Sequence, residues 1–172
     1  MMFRALVTVI LLTLGLPAHA QDRLCGRAQA KDGDSIIVNG VEIRLHGIDA
    51  LELGQACRRA NGQAWACGEV AKQEMQRLLQ GEVCCQRMQA ANSHTRVVMR
   101  CMAAGKDVGK ELVTAGLALD CPRFSREGYK GDEAGAKLAR RGVWDGGSFE
   151  APWRYKQQAY CCAPEFPRQF CP

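Results

Sequence analysis

Ten cysteines constrain this chain more than any other feature of its sequence: Cys25, Cys57, Cys67, Cys84, Cys85, Cys101, Cys121, Cys161, Cys162 and Cys171, in 172 residues. None are spaced C-x-x-C, and beyond residue 20 the histidines are His46 and His94, so zinc-ribbon and thioredoxin-type readings have no footing. A disulfide framework remains, and it requires an oxidising compartment. The N-terminus supplies a route there. Met1-Met2-Phe3-Arg4 forms a positive n-region, Ala5 to Leu16 an apolar h-region, and Ala18-His19-Ala20 a small-x-small cleavage site after Pro17. Residues 1–20 therefore read as a signal peptide, with an uncleaved anchor as the alternative, and the mature chain starting at Gln21 is periplasmic or extracellular. The run is short for a bilayer span and no later stretch exceeds it, so no membrane insertion of the mature chain is expected.

Spacing alone does not dictate which cysteines pair. Cys57–Cys67 closes a short loop, Cys85–Cys101 joins two expected strands, and Cys161, Cys162 and Cys171 tie down a C-terminal tail. With 47% hydrophobic and 24% charged residues the chain is not disordered, and its length suits one domain.

Local patterns set out the elements. Ser35-Ile36-Ile37-Val38 is rich in β-branched residues, Asn39-Gly40 is a hairpin turn, and Val41-Glu42-Ile43-Arg44-Leu45 alternates polar with apolar. Ala71, Met75, Leu78 and Leu79 share a helical face that ends at Gly81. Strands are predicted over Glu82–Met88 and Arg96–Ala103. A helix capped by Asp107 carries Val108, Leu112 and Ala115 and ends at Gly116, and a last helix spans Tyr129–Arg141 and stops at Gly142. The order β-β-β-α-β-β-α-α predicts a mainly β fold, an OB-type five-stranded barrel with about three packed helices; an α+β sandwich is the alternative.

Charge is distributed unevenly. Between Lys31 and Glu52 stand five acids, Asp32, Asp34, Glu42, Asp49 and Glu52, against Lys31 and Arg44, a local balance of −3. The whole chain carries +5; without Arg4 it carries +4, which leaves +7 outside this acidic segment. A carboxylate pocket in a basic surface suits a metal-assisted phosphodiesterase, although Asp-Gly-Asp is also a common turn sequence. Asp34 at the start of one strand and Asp49 at the end of the next hairpin arm are expected to face each other across a barrel mouth and to hold a hard cation, Ca²⁺ more readily than Mg²⁺. Glu52 stands close enough to take a proton from an attacking water. Arg44 and Arg96 are candidates for the phosphate, and each is also compatible with an ordinary salt bridge.

Asp32-Gly33-Asp34-Ser35 and Ile43-Arg44-Leu45-His46-Gly47-Ile48-Asp49-Ala50-Leu51-Glu52 resemble the signature of the staphylococcal nuclease (thermonuclease) family. The resemblance continues through Gln55, Cys57, Trp65, Cys67-Gly68 and Ala71, resumes at Thr95-Arg96-Val97-Val98 and Leu112-Val113, and closes at Gly142-Val143-Trp144. It implies an OB-fold nuclease domain over residues 21–146, followed by a cysteine-containing tail over residues 147–172. It also implies a Ca²⁺-dependent endonuclease that hydrolyses DNA and RNA at the 5′ P–O bond with low sequence specificity, acting as a monomer and preferring single strands. Asp34, Asp49 and the backbone carbonyl of Ala50 would bind the metal, Glu52 would activate water, and Arg44 and Arg96 would clamp the phosphate.

Three departures stand out. Leu51 replaces the family's proline, Asn92, His94 and Thr95 replace the residues before Arg96, and Phe124 stands where relatives often carry Tyr. A catalytically weak or inactive OB-fold nucleic-acid-binding module is therefore the second reading. An extracytoplasmic interaction domain using Trp153-Arg154-Tyr155 is the third.

Overall fold

The computed structural model describes residues 23–88, 97–156 and 162–163. Residues 1–20, expected to be a signal peptide, and Arg96, Asn92, His94, Thr95, Cys161 and Cys171 lie outside the described residues.

Arg23–Gly26 (β1) and Ala28–Ala30 (β2) are parted only by Arg27. Ser35–Val38 (β3) and Val41–Leu45 (β4) form the hairpin expected from Asn39-Gly40, whose φ angles of 49° and 81° meet the two positive values that a tight primed turn demands. The register pairs Ser35 with Arg44 and Ile36 with Ile43, which turns Ile36, Val38, Ile43 and Leu45 into the core. Then follow Ile48–Ala50 (β5), Cys57–Arg58 (β6), Ala64–Trp65 (β7), the helix Cys67–Leu78 (α1), Val83–Arg87 (β8), Val97–Ala103 (β9) and Lys106–Asp107 (β10). Beyond these come Val108–Thr114 (α2), Ala118–Asp120 (β11), Pro122–Ser125 (α3), Lys130–Leu138 (α4), a 3₁₀ turn over Gly142–Trp144, and Pro152–Tyr155 (α5).

The main sheet has seven strands in the order β1-β8-β9-β4-β3-β2, with β10 added to β9. This is a mixed α/β architecture consistent with an OB-type fold. Its strand count exceeds the five expected because the first strand is interrupted at Arg27 and β10 is a two-residue extension. Five helices are described; α3 and α5 are single turns of four residues begun by prolines, which carry no periodic signal in the sequence.

The larger core joins the sheet's inner face to Met75 and Leu79 from α1 and its end, and to Val108, Leu112 and Val113 of α2. Each such side chain contributes roughly 1.5–3 kcal/mol by leaving water. A smaller cluster of Leu51, Cys57, Cys67, Ala71, Leu117 and Val143 lies below the loop that carries Glu52. α1 begins four residues before Ala71, at Cys67, which is joined to Cys57. α2 starts as expected, with the Asp107 carboxylate accepting the Lys110 amide at 3.2 Å. α4 stops at Leu138, short of the expected Arg141, because Arg140 adopts a φ of 52° and the chain turns to meet Gly116. There a side chain on Gly142 would come within 2.2 Å of the Gly116 carbonyl, so the crossing needs glycine.

Four disulfides are described. Cys57–Cys67 and Cys85–Cys101 form as the sequence indicates, the second between residues directly opposite on β8 and β9. Cys25–Cys84 clips β1 to β8, and Cys121–Cys162 fastens the tail beside the end of β11. No helix among the described residues is long and apolar enough to cross a membrane.

Candidate metal centre

The site begins with a turn. The Asp32 carboxylate accepts the backbone amides of Asp34 at 2.9 Å and Ser35 at 2.6 Å, an Asx turn that ends the loop and starts β3. This fixes Asp34, which is almost wholly buried. Gly33 between them lies against β5; a Cβ there would come 2.7 Å from that of Ala50, so a larger residue would push Asp34 away from its partner strand.

Asp49 is the central residue of β5, opposite Leu119 of β11, and is fully buried. It thus belongs to a separate two-stranded ladder, not to the end of the hairpin arm as its sequence position implied. Gly47, at a φ of 77°, turns the chain between β4 and β5 and brings Asp49 back over Arg44. Arg44 donates from Nη1 to Asp34 Oδ1 at 2.5 Å and from Nη2 to Asp49 Oδ1 at 2.7 Å. Ala50 lies next to Asp49, and its amide donates to Asp34 Oδ2 at 3.0 Å.

Glu52 lies on the loop after β5, with its side chain 27% exposed. Its amide donates to the Gln55 side-chain oxygen at 3.0 Å, and its carbonyl is approached so closely by α1 that a Cβ on Gly68 would fall 1.7 Å from it. Leu51 is buried in the smaller core, and its amide donates to the Leu117 carbonyl at 3.3 Å, a bond proline could not make.

Asp34, Asp49 and Glu52 each offer a carboxylate oxygen, and these oxygens lie within 4.8 Å of one another. Burial pushes the Asp34 carboxyl up to about 6, with Arg44 opposing the rise and the Asp49 charge adding to it. Asp49 Oδ2 is buried and has no hydrogen-bond partner. Hard oxygen donors, one of them buried and unsatisfied, fit a hard divalent cation.

A residue from the far end of the chain also enters. Lys156, in the turn that ends α5, places its ammonium 2.8 Å from Asp49 Oδ1 and 2.5 Å from Glu52 Oε1. Nothing in the sequence pointed to it, since it is 107 residues from Asp49 and in no motif. Gln55 was visible only as part of the resemblance; its amide nitrogen donates to the Glu150 carbonyl at 2.7 Å and so ties the Glu52 loop to the tail. The Asp32 cap was legible in principle, as an Asp three residues before a Ser at a strand start.

Phe124 on α3 lines a cleft of about 940 Å³ together with Arg23, His46, Arg87, Arg100 and Arg126. None of the three clustered carboxylates lines this cleft.

Fold and site together define a cluster of three carboxylates around a buried arginine, on a sheet consistent with an OB-type fold. The chain belongs to the staphylococcal nuclease homologue family, whose sequence model matches residues 42–146, more than half of its length. That match takes in Arg44, Asp49, Ala50, Glu52 and Arg96, while Asp34 precedes it. The chain is also similar to the succinoglycan biosynthesis protein ExoI of Rhizobium meliloti (strain 1021), with 28% identity over 130 residues that cover 74% of this chain and 68% of that protein. Family membership links the chain to nuclease or other nucleic-acid-related function.

Proposed function

We propose that this chain is an exported, Ca²⁺-dependent nuclease that hydrolyses DNA and RNA phosphodiester bonds with low sequence specificity. The observation that carries the reading is the convergence of Asp34 with Asp49 and Glu52, from two separate stretches of the chain, with Arg44 bridging Asp34 and Asp49. Asp34, Asp49 and the Ala50 carbonyl would hold the cation, which supplies Lewis-acid stabilisation of charge on the phosphate. Glu52, the most exposed of the three carboxylates, takes the proton of a water attacking phosphorus. The P–O5′ bond breaks, the leaving oxygen takes a proton from solvent, and a 3′-phosphate remains. Arg44 and Arg96 contribute N–H donors to the phosphate oxygens as negative charge grows on them.

Export is supported by the N-terminal pattern and by four disulfides. We read β1 and β2 as one bent strand, because the sheet path begins and ends on them, and this reading closes a five-stranded barrel. Residues 21–146 are the nuclease domain and 147–172 its tail. The chain acts as a monomer, and single strands fit best, since an unpaired base can stack on Phe124.

The test is incubation of the oxidised chain with single-stranded DNA and with RNA. Cleavage that EDTA abolishes and Ca²⁺ restores is expected; no cleavage at any Ca²⁺ concentration would overturn the reading. One observation favours a second reading, that of a weak or inactive nucleic-acid-binding module. The Lys156 ammonium already neutralises part of the carboxylate site. Nucleic-acid binding that persists in EDTA without cleavage would favour it.

A further inference from the structure

The tail reaches the carboxylates by a series of specific attachments. Ser148 exchanges two backbone hydrogen bonds with Arg58 of β6, at 2.8 and 3.0 Å. The Glu150 carbonyl accepts from the buried Gln55 side chain, whose other end holds the Glu52 amide. Pro152 is buried and starts α5, and the Lys156 amide closes that turn on the Pro152 carbonyl at 3.1 Å. Six residues later Cys162 is bonded to Cys121, which directly follows β11, the partner strand of the Asp49 segment. Lys156 is thus suspended between two anchors, and its side chain is only 15% exposed.

Its ammonium touches one oxygen of Asp49 and one of Glu52. Formal charges show why it settles there. Three carboxylates against Arg44 leave −2 in a mostly buried pocket, and Lys156 reduces this to −1. A cation that engaged the same two oxygens would occupy the same space as the ammonium nitrogen. Even a cation on the opposite side of the carboxylates would feel a fixed positive charge a few ångströms away in a poorly solvated site.

We propose that Lys156 is the resident counter-ion of the carboxylate site, held there by the tail, and that a divalent cation enters only by displacing it. This rests on the reading of Asp34 and Asp49 as cation ligands. The tail is then a built-in competitor for the metal: the lysine keeps the buried carboxylates neutralised when divalent cation is scarce and leaves when it is plentiful. The lysine-held site keeps a formal −1 that repels a substrate phosphate, whereas a divalent cation in place of the ammonium brings the count to zero, so loading and displacement precede productive binding.

The experiment measures Ca²⁺ binding calorimetrically, without substrate, on the oxidised full chain, on Lys156→Ala and on Lys156→Ala/Asp49→Asn. Removing a positive charge from contact with the ligands should tighten Ca²⁺ binding by about tenfold or more, and the double variant should lose that gain. Equal affinity in the parent and Lys156→Ala would overturn the competition while leaving the cation site in place. Absence of Ca²⁺ binding in both would overturn the cation-site reading itself. Circular dichroism and thermal melting check that the variants fold, and Lys156→Gln replaces Lys156→Ala if that variant does not. A second readout needs no variant: labelling of the parent's lysines with acetic anhydride, read by mass spectrometry. Lys156 should be protected without Ca²⁺ and become reactive at saturation; unchanged protection while Ca²⁺ is bound would overturn the displacement.

Discussion

The side-chain oxygen of Gln55 accepts the backbone amide of Glu52 at 3.0 Å, and Gln55 is itself almost completely buried. Its amide nitrogen is satisfied by the Glu150 carbonyl, so one side chain couples the loop bearing Glu52 to the tail bearing Lys156. A buried amide with both ends used is costly to replace by an apolar residue, because two backbone groups then lose their partners. We expect Gln55→Leu to lower stability by about 1–3 kcal/mol in denaturant unfolding. If the protein is the nuclease proposed, the rate should fall too, through misplacement of Glu52. A variant with full stability and full activity would show that Gln55 positions nothing.

Glu52 itself is expected to behave in the opposite way. Its carboxylate is partly exposed and contributes chiefly an ion pair with Lys156. Glu52→Gln keeps the shape and removes the base, so hydrolysis of single-stranded DNA should drop by about 10²–10⁴-fold, with little change in melting temperature. Normal turnover in this variant would remove Glu52 from the mechanism.

Much of this arrangement was legible in the sequence where the signal is local. Asn39-Gly40 specifies both the turn and the register of the β3–β4 hairpin, and that register carries Arg44 to the position opposite Ser35, beside Asp34. Asp107 announces α2 because an N-cap acts within its own turn. Cys57–Cys67 and Cys85–Cys101 were readable from a short loop and a pair of neighbouring strands. Cys25–Cys84 was not, since it depends on β1 meeting β8 across 59 residues, which no local pattern encodes. Asp49 reads locally as the end of the hairpin arm because the three residues that pair with β5, Ala118, Leu119 and Asp120, belong to a segment about seventy residues away. Lys156 illustrates the limit. Its place follows from a proline-started turn and a disulfide to Cys121, both of which are tertiary facts.

Leu51 offers a test of how far the family pattern governs this chain. Its side chain is buried among Cys57, Cys67, Ala71, Leu117 and Val143, and its amide bonds to the Leu117 carbonyl. Leu51→Pro restores the residue usual at this point of the signature but removes the amide donor and part of the packed side chain. We expect a loss of about 2–4 kcal/mol in denaturant unfolding, the combined cost of a buried acceptor left unpaired and an underfilled core. Unchanged or increased stability would show that the loop adapts to proline and that Leu51 is a neutral exchange.

His46 connects the fold to pH. It follows β4, is 9% exposed, and lines the basic cleft. Burial first, then the charges of Arg100 and Arg126, hold its imidazole below the usual value of 6.5, with Asp107 opposing them weakly. Between that lowered value and 6.5 the unfolded chain binds the proton more readily than the folded one. Stability therefore rises with pH through this window and is lost as the pH falls below 6.5 towards the folded value. Denaturant unfolding of the oxidised protein between about pH 5 and pH 7.5 should show this slope, and His46→Gln should flatten the part due to the imidazole. An identical slope in the variant would show that the imidazole does not carry it, and Asp34 and Asp120, whose carboxyls are raised by burial, could not carry it either. Their sign separates them from His46. A carboxyl raised in the folded state makes stability fall as pH rises from its ordinary 3.8 towards the folded value, whereas His46 makes stability rise below 6.5.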